Sequence, residues 1–90
     1  MQIVIGEPIV VNVHIFSSRL NVYATGAIIL KDNNKTIATK YLNSLGSITF
    51  SLKSDELGIG IHELIVYYAG DKNFAASISD VMIRNIVDKK

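Results

Sequence analysis

The stretch Leu57-Gly58-Ile59-Gly60-Ile61-His62-Glu63-Leu64-Ile65-Val66-Tyr67-Tyr68-Ala69-Gly70-Asp71-Lys72-Asn73-Phe74 decides how this chain folds. Between Ile61 and Ala69 it is rich in β-branched and aromatic residues, which pack well on a pleated surface. Gly58 and Gly60 precede that run, and Gly70-Asp71-Lys72-Asn73 follows it as a turn. Successive side chains of a strand point to opposite faces. Leu64, Val66 and Tyr68 therefore share one face, expected to be the core face, and Ile65 and Tyr67 share the outward one.

Outward from this strand the same two-residue period recurs, and no helical stripe competes with it. Upstream, Ser47 to Leu52 alternates with Ile48, Phe50 and Leu52 inward and Ser47, Thr49 and Ser51 outward. Ser54 to Leu57 reads as one capped helical turn ended by Gly58. Gly26 to Lys31 and Thr36 to Leu42 form a strand pair around the turn Asp32-Asn33-Asn34-Lys35, and Asn43-Ser44-Leu45-Gly46 turns again. Ile9 to Phe16 places Ile9, Val11, Val13 and Ile15 inward and Asn12 and His14 on a wet face. Ile3 to Ile5 opens the chain, ahead of the turn Gly6-Glu7-Pro8, and Ser79 to Val87 closes it. Arg84 and Asn85 interrupt the alternation of that last strand and mark a place for a bulge. About seven short strands at hairpin spacing predict an all-β sandwich or small barrel.

Bulk composition removes several function classes. Ninety residues suit one domain, read here as 1–90 with its core over roughly 6–87. Hydrophobic residues make up 49% of the chain, too many for disorder. No apolar run approaches the roughly 18–20 residues of a membrane helix, so direct membrane insertion is not expected. The first residues lack a basic region and a small-residue cleavage site, so no secretory signal is read there. The net charge is +1 and the basic residues are scattered, with only Lys89-Lys90 adjacent, which argues against nucleic acid. Cysteine is absent, so disulfides and thiol chemistry are excluded.

The quoted stretch follows the pattern L-x-x-G-x-H-x-L-x-V-x-Y-x-G-D-x-x-F and resembles the bacterial and archaeal Ig-like repeat domains. Thr25-Gly26-Ala27-Ile28-Ile29-Leu30 resembles the T-G-x-V-x-F strand of that family, with Ala24 where a proline usually stands. The likeness spans about Gly6 to Val87, and the family's long first strand is shortened to Gln2 to Ile5. It implies an immunoglobulin-like β-sandwich of about seven antiparallel strands, held without a disulfide. His62 then takes the place of the corner tyrosine and Leu64 that of the second cysteine, with Val11 or Val13 opposite and Ile28 where the core tryptophan would be. His62, Leu64, Tyr68, Gly70 and Asp71 become the structural corner.

Residues that could carry chemistry fall to geometry. His62 and Glu63 are strand neighbours and point apart, so they cannot converge on one substrate. His14 belongs to a different sheet, which defeats a two-histidine metal site. Ser17-Ser18 has no partnered histidine and acid. Asp71 is expected to accept turn N–H groups rather than to hold calcium, and no Asp-x-Asp-x-Asp pattern exists. Gly58 and Gly60 lead into no helix and make no phosphate loop. Asn34-Lys35-Thr36 is a glycosylation triplet at a hairpin tip, of a kind common by chance. No catalytic residue, metal or cofactor is expected.

One surface exceeds an ordinary exterior. Ile65 and Tyr67 should neighbour Ala27 and Ile29 where the C, F and G strands of an Ig domain share a sheet. Either Val81 and Ile83 or Met82 and Ile86 join them, making an apolar patch of a few hundred Å². Ile29, Ile65 and Tyr67 are the candidate interaction face, with Tyr23 a further aromatic. The resemblance implies a non-catalytic spacer, adhesin-like in setting, with neighbouring Ig-like domains in a larger cell-surface or secreted protein. The alternatives are a binding module holding a protein or glycan on the C–F–G face, or a virion decoration domain. The expected state is a monomer or a weak homodimer through the apolar face or the first edge.

Overall fold

Asn33 and Asn34 both adopt positive φ, 50° and 70°, the backbone that a tight two-residue hairpin demands and that asparagine tolerates. They fold the β3–β4 hairpin, around which a two-layer sandwich is arranged in the computed structural model, which describes residues 2–89. Met1 and Lys90, the latter half of the Lys89-Lys90 pair, lie outside the described residues. The elements are β1 (Gln2–Val4), β2 (Pro8–His14), β3 (Ala27–Asp32), β4 (Lys35–Tyr41), β5 (Ser47–Lys53), α1 (Ser54–Leu57), β6 (Gly60–Tyr68), β7 (Ser77–Ile78) and β8 (Met82–Val87).

The larger sheet runs β1-β8-β6-β3-β4, with β7 also on β6, and β2 with β5 forms the second layer. All ladders are antiparallel except β1 on β8, which is parallel and corrects the expectation of a wholly antiparallel fold. On the wet face of the small sheet, opposed residues bond across the ladder: Thr49 Oγ1 donates to Asn12 Oδ1 at 2.8 Å, and His14 Nδ1 lies 2.6 Å from Ser47 Oγ.

Leu64, Ile28, Leu30, Phe50 and Ile86 are fully buried between the layers. Ile9, Val11, Val66 and Tyr68 complete the contact expected from alternation, and Ile3 and Ala24 add to it. The fully buried Ala24 occupies the position where the related pattern carries proline, and its neighbour Gly26 turns at φ 108°. That conformation belongs to glycine.

The closing strand differs from the expectation. It is broken into β7 and β8, because three residues, Ser79 to Val81, stand opposite two, Ile65 and Val66, between the Tyr67↔Ile78 and Leu64↔Met82 pairs. At the break Ser79 keeps one main-chain bond, its N–H donating to the Val66 carbonyl at 2.9 Å, while its Oγ takes the place of the missing acceptor, accepting the Val66 N–H at 2.9 Å and donating to the Asp80 carbonyl at 3.0 Å. Arg84 and Asn85, where the bulge was expected, pair regularly with His62 and Ile61. The extra residue sets the parity downstream, turning Ile86 into the core and leaving Val81 and Ile83 outside.

Candidate functional site

His62 lies on the inward face of β6 at the end where α1 gives way to the strand, and it is 7% exposed. Its ring is held from both sides. Nε2 donates to the Gly58 carbonyl, 2.8 Å away and four residues upstream, and Nδ1 lies 2.6 Å from Asp32 Oδ2 at the end of β3. The backward bond to Gly58 has the form of the corner hydrogen bond of Ig domains. Burial works against charge on this ring, but the Gly58 carbonyl, the Asp32 hydrogen bond and the Asp32 charge together raise its pKa above 6.5.

Asp32 belongs to the β3 ladder rather than only to the turn, opposite Leu64 on one side and Lys35 on the other. Its partner lies 30 residues away, so no local pattern announces the pair. One signal was available. Asp32 has the same parity as Ile28 and Leu30, and an inward carboxylate at the end of an apolar alternation requires a donor. Asn33 stitches the same hairpin to β6, donating N–H to the Glu63 carbonyl at 3.0 Å and accepting the Glu63 N–H at 3.2 Å.

A second polar corner closes the opposite end. Gly70 leaves β6 with φ 87°, and Asp71 beside it takes four donors. Oδ1 accepts the Asn73 and Phe74 N–H groups at 2.7 and 2.8 Å, and Oδ2 accepts the N–H and hydroxyl of Thr25 at 2.9 and 3.0 Å. The bond from the Thr25 N–H leads the lowering of the Asp71 pKa below 3.8, partly opposed by desolvation. With both oxygens occupied by main-chain and hydroxyl donors, the carboxylate is committed to the loops. Tyr68 ties the same connection down by donating its hydroxyl to the Thr25 carbonyl at 2.9 Å. Burial, then the nearby Asp71 charge, pushes that phenol above 10.0.

The turn Ser54 to Leu57 is expected from sequence to be capped, but Lys53 occupies the N-cap and no side chain caps it. Ser54 is instead the first helical residue and fully buried, and its hydroxyl reaches across the chain. It donates to the Glu7 carbonyl at 2.6 Å and accepts the Gly6 N–H at 2.8 Å, fixing the β1–β2 turn.

The outer face of the large sheet carries Ile29, Ile65 and Tyr67 side by side, since Ile29 pairs with Tyr67 and Lys31 with Ile65. All three are half-buried. Lys31 Nζ lies 4.8 Å from the Tyr67 ring centroid and covers it, while Ile61, Ile78 and Ile83 around them are more exposed. Tyr23 is 44% exposed in the β2–β3 connection, apart from this face.

A groove of about 290 Å³ opens between β2 and β7–β8, lined by Val11, Val13, Ile15, Val66 and Met82 among others. Among the described residues no group of three or more His, Asp or Glu side chains could hold a metal ion. No helix among them is long and apolar enough to cross a membrane.

No curated protein and no solved structure matches the chain. A family model does match, described as bacterial Ig-like domain (group 3) and covering residues 1–86, nearly the whole sequence. The cysteine-free two-layer sandwich and its backward-bonded His62 corner accord with that match, and the chain belongs to the bacterial Ig-like domain family, group 3.

Proposed function

We propose that this domain is a non-catalytic spacer that carries tension between neighbouring Ig-like units of a larger cell-surface or secreted protein, presenting adhesive or other parts located elsewhere. The observation that carries the reading is the parallel contact of β1 with β8. Gln2, Ile3 and Val4 stand opposite Asn85, Ile86 and Val87, and the Ile5 N–H donates to the Val87 carbonyl at 2.9 Å. Pulling the start of β1 and the end of β8 apart loads these bonds along the strands, so they must break together rather than one at a time. Ile3 and Ile86, paired across that ladder and both buried, add core packing to the same strip. The long axis of 49 Å against 21 and 18 Å suits a linear element. His62, Asp71 and Ser54, the polar groups best placed for chemistry, are each bonded to main chain.

Single-molecule pulling with handles at both ends tests this reading. Ile5→Pro deletes the donor to Val87, and it is expected to lower the unfolding force more than a change at the opposite β4 edge, such as Thr39→Ala. Equal unfolding forces for wild type and Ile5→Pro would remove the tension-bearing role.

A second reading, contact with a protein or glycan through the outer face, is favoured by the exposure of Ile61, Ile78 and Ile83 around Ile29, Ile65 and Tyr67. Light scattering over a concentration series, with the double change Ile65→Ser and Tyr67→Ser, separates it from the spacer. Association lost only in the variant supports the contact face. A monomer in both, with unchanged ligand binding, supports the spacer.

A further inference from the structure

Both ring nitrogens of the buried His62 face acceptors, a demand that a neutral imidazole cannot meet. The Gly58 carbonyl can only accept, so Nε2 keeps its proton. Asp32 Oδ2 is a carboxylate oxygen 2.6 Å from Nδ1, so a second proton lies between them. Asp32 Oδ1 is buried with no partner among the described residues, leaving the imidazole as the one donor to this carboxylate.

We propose that His62 and Asp32 form a proton-operated clamp that fastens the β3–β4 hairpin and the loop after α1 to the start of β6. When the proton leaves Nδ1, its lone pair faces Oδ2 and Asp32 is left buried without a donor. The low-dielectric site tolerates that poorly, so the hairpin must lift enough to admit water. The Asn33–Glu63 bonds are the first to be exposed, because they adjoin the pair in sequence on both strands.

Other charges near the clamp leave its sense unchanged. Arg84 stands opposite His62 in the β6–β8 ladder and opposes its charge, but its guanidinium donates to the Ile83 carbonyl at 2.9 Å. Lys31 and Glu63 occupy the other face of the sheet, with Lys31 over Tyr67. Lys35 on β4, Lys53 at the end of β5, and Asp55 and Glu56 on α1 are solvent-exposed. The folded pKa of His62 is raised, so the clamp's contribution is complete below the unfolded value of about 6.5 and is lost as pH rises through the folded value.

The test is an NMR titration of the intact chain, with the His62 ring signal separated from His14 by His14→Gln. The expected result is a His62 midpoint above 6.5. The Asn33 and Glu63 amides should lose protection through that same midpoint, beyond the intrinsic rise of exchange with pH. Asp32→Asn should lower the midpoint and uncouple the amides from it. A His62 midpoint at or below 6.5, or amides equally protected on both sides of it, would overturn the clamp, and neither measurement depends on the Asp32→Asn variant.

Discussion

Truncating Leu64 to alanine probes the centre of the sandwich. The residue is fully buried and flanked in the large sheet by Asp32 of β3 and Met82 of β8. The change deletes three carbon groups, about 2.4 kcal/mol of transfer free energy at about 0.8 kcal/mol each. A neighbourhood stiffened by ladders on both sides collapses only partly into the space, so the total should fall between about 2 and 5 kcal/mol. At roughly 0.05–0.15 kcal/mol per residue, a chain of 90 residues is worth about 5–14 kcal/mol, so the loss is a large share of the whole. Urea denaturation should show a lower midpoint at unchanged slope, and calorimetry a fall in Tm of about 4–8 °C for each kcal/mol. Ile61→Ala on the same strand is the control: Ile61 is 63% exposed, and its loss should stay within about 0.5 kcal/mol. A Leu64→Ala cost under about 1 kcal/mol, or one equal to the control, would refute a sulfur-free core centred on this residue.

Three further outcomes are expected. Ser54→Ala removes the two bonds by which a fully buried hydroxyl holds the Glu7 carbonyl and the Gly6 N–H of the exposed β1–β2 turn, and at about 0.5–1.5 kcal/mol each should cost about 1–3 kcal/mol in the same denaturation assay. Gly70→Ala forces φ 87° on a residue whose Cβ would stand 2.9 Å from the Ala76 nitrogen and 3.0 Å from the Phe74 carbonyl oxygen. Thermal unfolding should register a loss of about 1–3 kcal/mol. The lowered pKa of Asp71 means that its contribution is present above the unfolded value of 3.8 and lost as pH falls through the folded one. Tm should therefore decline on the acid side in wild type, and Asp71→Asn should lower the neutral plateau and flatten that decline.

The strands and their faces were legible in the sequence, because the pleat is local: alternation in Ser47–Leu52 and Ile61–Tyr68 dictates which side chains share a side. The Asn33-Asn34 hairpin was legible for the same reason, since left-handed backbone is a property of the residues themselves. The outward direction of Ile65 and Tyr67 followed from parity and their neighbourhood with Ile29 from the Ig-like resemblance, but the half-burial of that face beneath Lys31 depends on a neighbouring strand. The polar contacts of His62 and Ser54 were harder to read. Those residues reach partners 30 and 47 residues away, and a residue's preference for strand or cap says nothing about what approaches it from a distant segment.

The alternation in the amino-acid order determined a cysteine-free, all-β fold with Leu64, Val66 and Tyr68 in its interior, because a pleated strand with one apolar face must bury that face, and the family resemblance narrowed sandwich or small barrel to sandwich. Tertiary packing alone decided the parity of the last strand and the ionic pairing of His62 with Asp32. Each is settled by the register between segments far apart in the chain: one extra residue at Ser79–Val81 turns Ile86 inward, and the β3–β6 alignment delivers a carboxylate to a buried ring.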